Sequence, residues 1–326
     1  MSDSNKQKGF GLVELMVAMA IGLILMSIIF QIFVSNKESY QIITSITSRD
    51  EGARYAIDLI NSEMKTLGYR GCVREEGDTT NNFNSNIYSY KYNEVIRGFE
   101  GTGRGFSPDL PFDSDSISKN SDVLVIRPTN PRGYNVINNM DLSTHSATLS
   151  GTSGLNVGDP VVISDCAIAS IFKINSITGN TIGYESSTAI PKEFNRGSQV
   201  HKLYTVAYFI QASADDNNTL SLYRKLNNDS PQELIRGIEN LQVLFGVDEN
   251  NDFSVDEYKK SNNINDWNQV LSVKIAILAV ANSENITGLE KDNRKFDVLD
   301  ETLGPFNDKK IRKIYEKIIT IRNRLP

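Results

Sequence analysis

The sequence predicts an α+β fold in which one long N-terminal helix precedes an antiparallel β-rich domain. Three observations carry this. Residues Phe10–Val34 form a 25-residue run with one charge, Glu14, and no proline occurs before Pro108. From Asp122 onward, short runs rich in Val, Ile, Tyr and Phe alternate with Gly, Asn and Asp turns. The chain has 326 residues, 39% hydrophobic and 23% charged, with a net charge of −6. This composition excludes collagen, low-complexity disorder, a multi-span membrane protein and a nucleic-acid binder working through bulk positive charge.

The apolar run comes first. As a helix rising about 1.5 Å per residue it spans about 37 Å, enough to cross a hydrocarbon core of about 30 Å. A Sec signal peptide fits poorly, because the run is too long and no A-x-A site follows it. Lys6 and Lys8 precede the run and no basic cluster follows it. The positive-inside rule therefore keeps the N-terminus cytoplasmic and sends the C-terminal bulk to the periplasm. Glu14 is either a carboxylate that snorkels to the headgroups or a functional group, since an unpaired charge in a membrane span is costly.

The residues around Glu14 favour function. Gly9-Phe10-Gly11-Leu12-Val13-Glu14-Leu15 resembles the class III signal of type IV prepilins: a short basic leader, Gly, Phe, a Glu five residues into the mature chain, then an apolar helix. Gly11 departs from the family's usual Ser or Thr. The resemblance implies cleavage between Gly9 and Phe10 by a prepilin peptidase and N-methylation of the new Phe10 amine. That amine and the Glu14 carboxylate could then satisfy each other in lipid, within one helix or between neighbouring subunits. The resemblance favours the pairing between subunits, which sets register during assembly.

Beyond Val34 the pattern turns amphipathic. Ile43, Ile46, Ala53, Ala56, Ile57, Ile60, Met64 and Leu67 recur at helical spacing, and Gly68 marks a stop. The expected organisation is a leader at 1–9, a membrane helix at 10–34, its amphipathic continuation at 35–68 and a periplasmic β-rich domain at 69–326. Residues 71–122 read as long loop with short strands, and Gly101–Gly105 as plain loop. Strands are expected at Val123–Arg127, Ala147–Leu149, Pro160–Ser164, Ser170–Ile177, Thr181–Tyr184, Val200–Gln211, Leu220–Leu226, Leu241–Val247, Val270–Ala281 and Ile314–Arg322, with a small β subdomain at 160–185. Cys72 and Cys166 would both lie in the periplasm, where disulfides persist; they form either one bridge or two separately buried thiols.

Four further stretches narrow the resemblance: Gly68–Cys72, Gly158–Cys166, Ile238–Asp248 and Ile319–Arg324. With the prepilin start they are similar to the PilW minor pilins of type IV pilus assembly, a family in turn similar to the J pseudopilin of type II secretion. The resemblance implies a pilin-like architecture and a role in a priming complex with other minor pilins, the major pilin and the inner-membrane assembly platform, ending at the pilus tip. It implies membrane lipid as a partner, no catalysis and no small-molecule substrate. The rival readings are a type II secretion pseudopilin, a tip adhesin acting through loops 73–120, and a membrane-anchored periplasmic enzyme. No HExxH, CxxC or Walker sequence supports the last.

Two polar stretches remain. Asp248, Asn250, Asp252 and Asp256 match positions one, three, five and nine of a calcium loop. Phe253 stands where such a loop turns at glycine, and Lys259 where it places a bidentate Glu, so the stretch fits either a calcium site or an acidic hairpin. The basic tail, Lys309–Lys313 and Arg322–Arg324, reads as a solvated strand face or as a contact for an acidic neighbour. Nucleic-acid binding by it is not expected on an acidic chain.

Overall fold

A computed structural model describes residues 11–73, 79–83, 88–281 and 290–325. It contains one long helix, α1 (Leu12–Met64), followed by a strand-rich domain. The absence of proline and the long runs of Leu, Met, Ala and Ile let α1 propagate unbroken. The chain leaves it through a turn ahead of Gly68, whose φ of 71° is the left-handed geometry that glycine accepts most readily.

The helix divides into two by burial. Leu12–Val34 is exposed, with Leu12 at 77% and Phe30 at 69%. Ala53, Ala56, Ile57, Ile60 and Met64, spaced by one, three and four residues, are buried against the domain and continue into Leu67. Ile43 was expected on that inner stripe but stands 63% exposed. Ile46 is half-buried, so coverage by the domain begins near that level.

Two antiparallel sheets grip the buried half. One has four strands in the spatial order Glu257–Lys259, Ile238–Val247, Val270–Ala281 and Ile311–Thr320. The other has six, in the order Gln232–Arg236, Leu220–Leu226, Val206–Ala212, Val123–Ile126, Ile96–Gly101 and Phe106–Ser107. A single apolar core joins them to the helix, with Leu124, Tyr208, Leu222, Phe245, Val273 and Ile277 among its fully buried members.

A second unit is inserted between two strands that pair with each other. Val123–Ile126 lies antiparallel to Val206–Ala212, and the chain between them builds a separate structure. This unit holds four strands of a five-stranded sheet, ordered Ala169–Lys173, Pro160–Ser164, Gln199–Leu203 and Thr129–Asn135, whose edge strand Thr79–Asn81 comes from ahead of the insertion, and a three-stranded sheet of Ser146–Thr148, Thr181–Gly183 and Ser176–Thr178. Its own core includes Val136, Leu149, Ile163, Phe172, Ile182 and Phe194. That core reaches from Tyr134 to Val200, beyond residues 160–185.

Two runs that read as single strands are each broken in two. Val200–Gln211 splits at Tyr204–Thr205, where the chain crosses from the inserted unit to the six-stranded sheet. Ser170–Ile177 splits at Ile174–Asn175, where it passes between the unit's two sheets. Gly101–Gly105 connects Ile96–Gly101 to Phe106–Ser107 as a hairpin turn.

Candidate assembly surface and its anchoring

The exposed half of α1 is a continuous apolar surface from Leu12 to Val34, and among the described residues α1 is the one helix long and apolar enough to cross a membrane. Leaving so much contiguous apolar surface in water is unfavourable at about 25 cal/mol per Å², so lipid or other helices must cover it. Glu14 sits at its start. The carboxylate turns back along its own chain, and the Gly11 N–H donates to its Oε2 at 3.0 Å. Glu14 thereby satisfies an orphan amide of the first turn and places a negative charge at the positive end of the helix. Gly9 and Phe10, the expected cleavage site, lie outside the described residues, so the pairing of Glu14 with the Phe10 amine does too.

The covered half of α1 is held by side chains the sequence did not single out. Glu63 accepts a hydrogen bond from the Tyr208 hydroxyl at 2.6 Å and pairs with Arg224 at 2.6 Å. Burial, reinforced by the Glu63 charge, pushes the Tyr208 hydroxyl far above its ordinary pKa, so it remains a donor. Asp50 accepts from the Tyr315 hydroxyl and from Arg49, whose Nε lies 2.9 Å away. The Tyr315 hydrogen bond comes first among the causes that hold the Asp50 carboxyl down at about 2. Asp58 pairs with Lys317 at 2.9 Å. Apart from the adjacent Arg49, these partners lie 145 to 265 residues away in sequence, which is why no local pattern announces them.

Part of the basic tail is bound up with its own chain, while Lys309, Lys313 and Arg322 stay exposed. Arg312 is buried and forked between Glu239 and Asp308. Lys313 lies 3.6 Å from Asp50, and Arg324 donates to the carbonyls of Trp267 and Val270 at 2.6 and 2.7 Å. The strand Ile311–Thr320 is therefore fastened to the helix by its cations instead of presenting a uniformly solvated face.

The disulfide forms at the other end of α1. Cys72 and Cys166 are bonded, with Cα atoms 4.8 Å apart. Cys166 sits in the turn between Pro160–Ser164 and Ala169–Lys173, so the bond ties the helix end to the inserted unit. Gly71 makes this approach close: a Cβ there would meet Ser164 Oγ at 2.2 Å. Tyr69 packs edge-on against the buried His201 at 5.2 Å, and the Thr129 hydroxyl donates to the Tyr69 carbonyl at 2.7 Å. Burial lowers the His201 pKa, keeping the ring neutral beside Tyr69.

Asp248, Asn250, Asp252 and Asp256 come together in one hairpin loop between Ile238–Val247 and Glu257–Lys259. Their oxygens serve backbone amides. Asp248 accepts from the N–H groups of Asp252 and Phe253 at 3.2 and 2.8 Å, Asn250 from Asp252 at 2.9 Å, and Asp256 from Glu249 at 2.8 Å. Phe253 adopts a φ of 64°, so the backbone makes the left-handed turn without glycine. Lys259 pairs with Glu249 and Glu257. Among the described residues, the carboxylates that converge as metal ligands would are instead Glu100, Asp300 and Glu301. The Lys260 ammonium stands among them at 3.0, 2.6 and 2.7 Å.

Comparison with known proteins gives this arrangement its context. The family model described as Type IV Pilus-assembly protein W matches residues 207–323, and the prokaryotic N-terminal methylation motif matches residues 4–30. The chain is thus similar to PilW over its C-terminal third and to the prepilin methylation motif at its start. No curated protein and no solved structure matches it. The PilW match covers strands that grip α1 and omits the inserted unit between Thr129 and Leu203. A pilus-assembly domain, a prepilin motif and a long apolar helix fit a membrane-anchored, pilus-related minor pilin, and pilin-family domains are structural components rather than enzymes.

Proposed function

We propose that this chain joins a minor-pilin priming complex that initiates type IV pilus assembly, and that it ends at the pilus tip. The observation that supports this reading best is the combination, on one chain, of a prepilin methylation motif, an exposed apolar helix and a PilW domain fastened around that helix. In this reading residues 1–9 are a leader. A prepilin peptidase cuts between Gly9 and Phe10, and the Phe10 amine is methylated. Residues 10–34 hold the subunit in the inner membrane with its N-terminus cytoplasmic, residues 35–68 continue the helix, and the domain 69–326 lies in the periplasm.

Assembly then exchanges lipid around α1 for the helices of other minor pilins, the major pilin and the assembly platform. Glu14 leaves the Gly11 amide of its own chain for the Phe10 amine of a neighbour. A head-to-tail contact of this kind does not close on itself and so propagates as a filament. N-terminal mass spectrometry of the membrane-inserted protein tests the processing step: methylated Phe10 is expected, and an intact Met1 or an uncleaved Gly9 would overturn it. Glu14→Ala is expected to abolish or strongly reduce piliation while leaving the protein folded. Full piliation with lost protein secretion would instead identify a type II secretion pseudopilin.

For the loop of Asp248, Asn250, Asp252 and Asp256 we propose calcium as an accessory ligand. The left-handed Phe253 supports this, because it supplies the turn such a loop requires. Added calcium should raise the thermal midpoint of the wild type and not that of Asp252→Asn; no shift in either would remove the ion from the account.

A further inference from the structure

Arg127 is a buried cation with no carboxylate bonded to it among the described residues. It follows the strand Val123–Ile126 and is 3% exposed. Its Nη1 donates to the Glu94 carbonyl and its Nη2 to the Tyr88 carbonyl, the latter at 2.9 Å. Its Nε has no hydrogen-bond partner. Among the described residues no carboxylate bonds to it, and the nearby Glu94 carboxylate is paired with Arg97 at 3.5 Å. Burial pulls the Arg127 pKa down to about 10, which still leaves it charged at neutral pH. The Glu94 charge offsets only part of the burial cost, and a buried cation not bonded to a carboxylate is a strong binder of any anion that reaches it.

Arg127 lines a cavity of about 210 Å³. Phe99, Val125, Pro108 and Pro111 give the cavity apolar walls, while Lys91 and Arg97 add positive charge. The exposed Asp109 is the one lining acid without an assigned cation. We propose that this cavity binds a carboxylate carried on an apolar group, with the carboxylate held by Arg127 and the apolar body between Phe99 and the two prolines. The site lies on the Ile96–Gly101 side of the six-stranded sheet and makes no use of α1, so it stands or falls separately from the assembly reading.

Trp267 is the sole tryptophan, and Arg97 lies over its ring at 5.0 Å. An anion that draws Arg97 toward the cavity therefore changes the indole emission. The full chain in detergent is titrated with cyclohexanecarboxylate, cyclohexanecarboxamide, inorganic phosphate and N-acetylleucine, none of which absorbs at the exciting wavelength. The carboxylate should produce a saturable change, with the neutral amide about tenfold weaker, since it lacks the charge-assisted hydrogen bond, and phosphate weaker also because it lacks the apolar body. Arg127→Met should remove the response. Should that variant fail to fold, Asp109→Asn carries the test: it removes a like charge from an exposed position and should tighten binding about two- to threefold. Tighter binding of N-acetylleucine than of cyclohexanecarboxylate assigns the site to a peptide terminus, and the reverse order to a free acid. Acid and amide of equal affinity, phosphate equal to the carboxylate, an unchanged Asp109→Asn or no saturable response would each overturn the proposal.

Discussion

The two halves of the globular domain are built to different plans. The sheets around α1 close their inner apolar faces on Ala53, Ala56, Ile57, Ile60 and Met64, and only smaller clusters on their outer faces, around Phe99 and Phe209 and around Leu278 and Val298, do without the helix. The inserted unit has a core of its own around Phe172, Phe194, Ile182 and Leu149, and meets the end of the helix through Cys72–Cys166, the Tyr69–His201 contact and the hydrogen bonds of Thr129 to the Thr66 and Tyr69 carbonyls. One half is specified by the helix it must hold. The other is a self-contained body leashed to it. The PilW match, at residues 207–323, falls on strands of the first and on none of the insertion between Thr129 and Leu203.

The largest expected effect breaks the leash. The disulfide spans 94 residues, and a loop of that size is worth about 4 to 5 kcal/mol in the chain-entropy model. Cys72→Ser should therefore lower stability by about that much, read as a drop in thermal midpoint that reductant reproduces in the wild type. A melt that splits into two transitions would show that the insertion and the gripping module unfold as separate units once untied.

The next test compares the cores. Phe172→Ala in the insertion should cost about 3 to 5 kcal/mol and Ile60→Ala in the helix seam about 2 to 5 kcal/mol. If the two cores are independent, the double variant should cost their sum to within about 0.5 kcal/mol in urea melts. A clear departure from additivity would mean that the bridge couples them.

The helix grip should yield in smaller steps. Glu63→Gln leaves Arg224 without its partner at a site where Glu63 is 10% exposed, and a loss of about 2 to 3 kcal/mol is expected. Asp50→Asn should cost about 1 kcal/mol at neutral pH. Its pH dependence has a definite sign: the folded carboxyl at about 2 lies below its ordinary 3.8, so the unfolded chain binds more protons between those values. The contribution is complete above pH 4 and is lost as pH falls toward 2. Wild type and Asp50→Asn should thus converge in stability across that window.

Much of this was legible in the sequence where the signal is local. A lone charge in an apolar run exposed Glu14, and helical spacing exposed the seam residues from Ala53 to Leu67. Ile43 failed because spacing reports a face and not where the covering domain stops. The breaks at Tyr204–Thr205 and Ile174–Asn175 were invisible because the apolar runs continue through them while the chain changes sheets. Glu63, Asp50 and Asp58 were missed for another reason: their partners Arg224, Tyr315 and Lys317 are brought to them by tertiary structure alone. Arg127 was one arginine at a strand end, and only the cavity beside it marks it out.

The strand Ile311–Thr320 and the residues after it lie along α1, with Arg49 donating to the Ile311 carbonyl and Asn323 to the carbonyls of Lys65 and Leu67. These contacts span 256 to 262 residues. During synthesis, then, the helix emerges first and waits for its final strand until almost the whole domain has followed. Its seam of Ile57, Ile60 and Met64 is bare during that interval. Completion of this fold therefore waits on the last strand, and a chain truncated before Ile311 would present an open, sticky groove in place of a finished domain.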